Sequence, residues 1–262
     1  MTTYVAEGVD RIRSTGPLVH NVTNLVAMTL SANVLIAAGA SPIMSAAPEE
    51  AGELAAMSGA LVVNIGTLTH DWIEGAEAAV GGAIRAKKPW LLDPVGIGAT
   101  AYRRDTSTML LSHGPTIVRG NASEIMALAG AGQGGKGVDS TAAASDAASA
   151  AADLASRSGA VVVVTGAVDL VTDGKRTLRI ANGHPLLART TASGCALTAL
   201  MGAWAAVLPD PLEAAAGALA AYGVAAEIAA EGNPGPGSFV PALLDALGAL
   251  DGATASARSR IA

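Results

Sequence analysis

Three stretches of this chain hold residue types whose spacing suits chemistry on an anion. In TTASGCALTAL (190–200), small polar residues and Gly194 lead into Cys195, the only cysteine, where an apolar helical pattern begins. Backbone N–H groups at such a helix start point outward with the positive end of the helix dipole behind them, so the turn reads as an anion site. The dipole favours a thiolate at Cys195 and burial opposes one; a small buried hydrophobe is the alternative reading of the same residue. In VRGNASEI (118–125), Arg119 follows an apolar run, Asn121 stands at a helix N-cap position and Glu124 lies three residues on, close to a capping box. Capping accounts for Asn121 and Glu124 but not for Arg119, whose guanidinium fork suits a phosphate. In LLDPVGIGAT (91–100), Asp93 supplies a second carboxylate. Magnesium takes one or two carboxylates plus substrate phosphates, so Asp93 and Glu124, the latter through water, are candidate metal positions; a structural role for either stays open.

The elements that must position these residues follow from the pattern of short β-like runs alternating with Ala-rich helical stretches, which predicts a parallel sheet covered on both faces. The β-like runs are PLVHNV (17–22), SPIM (41–44), ALVVNIG (60–66), PWLLDP (89–94), PTIVRG (115–120) and AVVVVTG (160–166). Helices are expected over 25–38, 48–57, 71–86, 104–111, 122–128 and 141–155, with Gly39 and Gly59 as C-terminal stops. Next, DLVTDGKRTLRI predicts an antiparallel hairpin turning at Asp173 and Gly174, with HPLLART as a third strand. From Ala192 onward the chain reads as all helical, over 195–207, 211–230 and 239–250. With no linker in view, one domain over residues 1–262 is expected.

Ligands of open α/β sheets bind beyond the carboxyl ends of the strands. The residues closing the β-like runs are polar: His20, Asn21, Thr23 and Asn24; Met44 and Ser45; Asn64 and Thr67; Asp93; Arg119, Asn121 and Glu124; Thr165. Any one of them can be a helix cap, but their joint placement on one rim points to a site. GAGQGGKGVDS (130–140) mimics a phosphate-binding loop and fails as one, because Gly137 replaces the magnesium-binding Ser or Thr and no strand precedes it. It reads as a mobile glycine-rich loop, with a lid role open.

Composition narrows the class. Hydrophobic residues make up 51% and aromatic residues only 3%, so the interior is built from Ala, Val, Leu, Ile and Gly. The mean hydropathy is +0.43, yet no run of about 20 uninterrupted apolar residues is present, so no membrane span is expected. The net charge of −6 argues against general nucleic-acid binding but leaves room for one nucleotide held by local groups. The start MTTYVAEGVDRIRSTG lacks the apolar core of a signal peptide, and the single cysteine forms no internal disulfide, so a cytoplasmic protein is expected.

Taken together, PLVHNVTNLVAMTLSANVLIAAGASPIMSAAPEEA, LVVNIGTL, LLDPVGIGAT, TIVRGNASEI, GKGVDS, VVVTGAVDLVTDG and TASGCALTAL resemble the hydroxyethylthiazole kinases, thiamine-salvage enzymes of the ribokinase-like superfamily. The resemblance spans nearly the whole chain. It implies an α/β fold with a mostly parallel central sheet, helices on both faces and a helical C-terminal part, assembled as a homotrimer with active sites at subunit interfaces. It implies transfer of the ATP γ-phosphate, with Mg2+, to the primary alcohol of 4-methyl-5-(2-hydroxyethyl)thiazole. By the same resemblance Met44 contacts the thiazole, Asn21 lines its pocket and the Ala192 backbone contacts substrate, although many members have glycine there. Arg119, Thr165, Asn121 and Gly194 fall on the ATP side, Asp93 and Glu124 near the metal, and Cys195 where related kinases carry an aspartate base. Two rivals remain open from the residues: a related kinase for a hydroxymethylpyrimidine, pyridoxal or sugar, and a cysteine hydrolase pairing Cys195 with His20, His70 or His184. A nucleotide-binding scaffold without catalysis is a third.

Overall fold

The computed structural model describes residues 3–130, 140–232 and 235–262. Its strands are β1 (Leu18–Val22), β2 (Ser41–Met44), β3 (Ala60–Asn64), β4 (Trp90–Asp93), β5 (Ile117–Asn121), β6 (Val161–Thr165), β7 (Asp169–Thr172) and β8 (Thr177–Ile180). They form one sheet in the order β2-β1-β3-β4-β5-β6-β7-β8. The pairs from β2 through β6 are parallel, and β7 and β8 add an antiparallel edge, as the hairpin sequence predicts. The helices are α1 (Thr3–Thr15), α2 (Met28–Ala38), α3 (Pro48–Met57), α4 (His70–Arg85), α5 (Ala101–Ser112), α6 (Ala122–Ala129), α7 (Ser140–Ser158), α8 (Ser193–Val207), α9 (Pro211–Ala230), α10 (Pro236–Ala249) and α11 (Gly252–Arg258).

The sheet separates two cores. On one side Val19, Val62, Leu91, Ile117 and Val163 pack with side chains of α1, α2 and α8 to α11; on the other Leu61, Val63, Trp90, Leu92 and Val162 pack with those of α3 to α7. Both faces of the central strands are apolar, which is why their sequences read as continuous hydrophobic runs. Helix α9 is long and apolar enough to cross a membrane, but 83% of that window is buried inside the fold. Its Ala and Gly residues serve close packing: a Cβ at Gly217 would lie 2.2 Å from the Trp204 ring.

The structure corrects several expectations. HPLLART is not a strand: Pro185–Arg189 forms a 3-10 turn, opened by Pro185, which lacks an N–H, and capped by the His184 side chain on Leu186 N. Helix α2 starts at Met28 rather than Leu25, because the Asn24 side chain captures Ala27 N and the Thr67 hydroxyl captures Leu25 N. Gly39 is the left-handed stop it was expected to be (φ 94), whereas α3 ends at an extended Ser58, and Gly59 plays no such part. Helix α5 starts three residues earlier than expected, at Ala101, because Thr100 caps it through Arg103 N. The glycine-rich stretch at 131–139 lies outside the described residues.

Candidate active site

Strand alternation puts the rim residues on one face. Asn21 lies two residues after Val19, Asn64 after Val62, Asp93 after Leu91, Arg119 after Ile117 and Thr165 after Val163, and each of those partners packs in the core under α8. Five strand ends therefore present polar side chains toward the start of α8. Met44 joins them from the sheet edge, as the register partner of Asn21 on β2.

The turn into α8 is built on Ala192, which adopts a left-handed conformation (φ 63) that glycine would adopt without strain. The Ala192 carbonyl accepts from Ala196 N at 2.9 Å, and the buried Tyr222 hydroxyl donates to the Ser193 carbonyl at 3.3 Å. Among the described residues the N–H groups of Gly194 and Cys195 have no protein acceptor. The helix start expected from the sequence is thus present, with these two donors unspent, the arrangement that suits an anion. Gly194 is needed for contact: a Cβ there would stand 2.7 Å from both terminal nitrogens of Arg119. Arg119 lies against the helix start, donates to the Thr165 hydroxyl at 2.8 Å, and approaches Asp93 at 3.8 Å. Its Nε is buried without a partner.

A chain of buried polar groups connects the thiol to this cation. The Asn24 amide donates to Asn64 Oδ1 at 2.8 Å and to Cys195 Sγ at 3.4 Å, and the Asn64 amide donates to Asp93 Oδ2 at 2.8 Å. The Thr198 hydroxyl, one turn along α8 from Gly194, donates to the same Asp93 oxygen at 2.8 Å. Asp93 Oδ1 is buried with no partner. Burial pushes the Asp93 carboxyl up to about 6, against the pull of Arg119 and its hydrogen bonds. Burial, reinforced by Asp93, also pushes the Cys195 thiol up, while the Asn64 and Asn24 amides and Arg119 draw it down. Burial therefore prevails over the groups that favour a thiolate. The cysteine is partly exposed rather than sealed in the core.

Glu124 and Asn121 form the capping box in full, with Asn121 Oδ1 accepting from Glu124 N and Glu124 Oε2 from Asn121 N. The other oxygen, Oε1, accepts from Gly96 N at 2.9 Å, so both Glu124 oxygens already hold the backbone of the rim. Among the described residues no group of three or more His, Cys, Asp or Glu converges as a metal cage. The free Asp93 oxygen, with Glu124 reaching through water, fits an ion carried mainly by substrate phosphates.

Sequence reasoning passed over two positioning residues. Asn64 was noted only as a strand end, yet it links Asn24 to Asp93. Arg103 was not singled out; its guanidinium donates to the carbonyls of Ile65, Gly66 and Val95, tying the turns after β3 and β4 together. His20 projects to the opposite face of the sheet from Asn21 and bonds the Ser45 carbonyl at 2.9 Å. His70 is exposed beside Glu74, and His184 is spent on its cap. No imidazole hydrogen-bonds Cys195 among the described residues, which leaves the hydrolase reading without a base.

Next to the α8 turn opens a cleft of about 690 Å³ lined by Arg119, Thr165 and Gly194 together with the apolar Pro185, Leu187 and Leu219. An arginine and free amides together with apolar lining suit a phosphorylated ligand with an organic body. The chain matches the Hydroxyethylthiazole kinase family over residues 9–252. It is 54% identical over 242 residues to a hydroxyethylthiazole kinase of Cereibacter sphaeroides, covering 92% of each chain. The chain belongs to the hydroxyethylthiazole kinase family. This makes it a kinase, a phosphotransferase, as the resemblance implied. The solved hydroxyethylthiazole kinase structure from Pyrococcus horikoshii OT3 is similar over 99% of this chain and 98% of that one, with TM-score 0.91 and 40% identity. A ribokinase-like superfamily protein from Enterococcus faecalis V583 shares the fold at TM-score 0.67 and 12% identity, over 94% of each chain.

Proposed function

We propose that this kinase transfers the γ-phosphate of ATP to the primary alcohol of 4-methyl-5-(2-hydroxyethyl)thiazole. The observation that carries the reading is the α8 start: two unspent backbone donors, Gly194 N and Cys195 N, beside an arginine that packs on Gly194. Phosphoryl transfer asks mainly for alignment and charge stabilisation, which such a site supplies. Arg119 and Thr165 bind the phosphates of ATP, Gly194 N and Cys195 N receive the migrating group, and Asn121 holds the rim loop in place. Asp93 and Glu124 would hold Mg2+, which when bound would neutralise phosphate charge. Met44, Asn21 and the Ala192 backbone line the alcohol pocket. Cys195 Sγ faces the alcohol and, in its thiolate form, takes the alcohol proton as the new P–O bond forms and the bond between the γ-phosphate and ADP breaks; the Asn24 amide keeps the sulfur in place. Leu25 and Val26, 74% and 63% exposed beside Asn24, support a homotrimer in which a neighbouring copy closes this pocket.

The test is 31P NMR of the chain with ATP, Mg2+ and one alcohol at a time. Stoichiometric ADP and thiazole monophosphate, with hydroxymethylpyrimidine and pyridoxal turned over at least about a hundredfold more slowly, support the reading. Equal or faster transfer to either of those alcohols contradicts it.

A further inference from the structure

The cleft contains a carboxylate that the phosphoryl-transfer scheme leaves idle. Asp169 opens β7 on the same sheet face as Val171, toward α8 and α9, and lines the 690 Å³ cleft together with Arg119 and Thr165. Its Oδ1 accepts from Gly166 N at 2.9 Å, closing the turn between β6 and β7. Among the described residues no other donor bonds this carboxylate and no cation forms an ion pair with it. The half-buried carboxylate thus keeps spare lone pairs on the cleft wall, where a ligand donor can reach them. Burial pushes its carboxyl up to about 6, and the nearby Arg119 charge pulls it back.

We propose that Asp169 is the residue that recognises the sugar of the nucleotide, its free oxygen accepting a hydrogen bond from a ribose hydroxyl. The inference rests on the reading of the cleft as the ATP site. Within that reading the position selects the sugar over the base. Asp169 holds Gly166, the residue after the Thr165 whose hydroxyl Arg119 bonds, and so stands near the groups read as phosphate ligands, whereas Pro185, Leu187 and Leu219 give the cleft apolar surface that suits the base. The sugar bridges the two, and its hydroxyls are the donors there. Asp169 is thus a specificity-determining residue, with no part in the proton transfer at Cys195.

The experiment compares kcat/KM for ATP, 2′-deoxyATP and 3′-deoxyATP in the wild type, in Asp169→Asn and in Asp169→Ser. Both variants keep an oxygen for Gly166 N, so the turn is retained, and either suffices if the other fails to fold. The wild type should prefer ATP over at least one deoxy analogue by about tenfold or more, the worth of a charge-assisted bond, and the variants should lose that preference by weakening ATP alone. Equal use of all three nucleotides by the wild type, or variants that slow all three by one common factor, overturns the sugar contact while leaving the ATP reading intact. A wild type that binds no nucleoside triphosphate in calorimetry overturns both.

Discussion

In the proposed scheme the chemistry turns on Cys195 and Asp93, and each makes a separate prediction. The thiol is pushed above its ordinary value by burial and by Asp93, so at neutral pH it is protonated and its basic form grows as pH rises. Wild-type kcat should therefore climb between pH 7 and 9. Cys195→Asp, ionised throughout, should keep or exceed wild-type turnover at pH 7 with a flat profile, and Cys195→Ala should lose roughly 100-fold in kcat. Equal kcat in all three proteins removes the sulfur from the mechanism. Asp93 titrates at about 6 when folded, above its unfolded value near 3.9. Between those two values the folded chain holds the extra proton, so stability falls as pH rises through about 4 to 6, and the full penalty stands at pH 7. Asp93→Asn should accordingly stabilise the ligand-free protein at pH 7, by at most about 3 kcal/mol, with the gain gone below pH 4, while turnover drops. Denaturant unfolding at pH 4 and pH 7 checks this; a variant less stable at pH 7 contradicts it.

At the scale of elements, close backbone approaches hold the two ends of the site. Gly194 admits Arg119 to the start of α8, and Gly75 of α4 admits the Ala46 carbonyl, which a Cβ would meet at 1.9 Å, just beyond Met44. Gly194→Ala should therefore raise the KM for ATP and leave that for the alcohol, whereas Gly75→Ala should shift the Met44 end, raise the KM for the alcohol and cost about 2 kcal/mol or more of stability. Initial-rate kinetics with both substrates varied distinguishes the two; identical KM changes contradict the assignment. These elements differed in how far the sequence announced them. The central parallel strands are apolar on both faces and closed by polar residues, so their runs stand out, while SPIM at the sheet edge is short and only half-buried. Period-two alternation from Val62 to Asn64, or Leu91 to Asp93, already implies a shared face. Helix α1 is hard to read as an element because its Val5, Val9 and Ile12 stripe lies within an otherwise polar N-terminal stretch. The 3-10 turn after His184 shows the opposite error, where apolar Leu residues imitate a strand but Pro185 forbids one.

At the scale of the whole molecule, the parallel sheet brings the strand ends to one rim, and long-range hydrogen bonds such as Asn24 to Asn64 and Arg103 to Ile65, which no local pattern encodes, link them. The same holds for the proposed assembly. Leu25 and Val26 lie exposed beside Asn24, and β2 is a bare sheet edge carrying Met44. Light scattering should give three times the 25.7 kDa chain mass, and Val26→Asp should lower both the mass and the turnover; a fully active monomer contradicts the shared site. The most direct test of the central claim is a crystal structure of the chain with a non-hydrolysable ATP analogue, Mg2+ and the thiazole alcohol. The account predicts the terminal phosphate within hydrogen-bonding distance of Gly194 N or Cys195 N, with the alcohol oxygen facing Sγ of Cys195. Phosphates bound elsewhere, with those amides pointing at water, would contradict it.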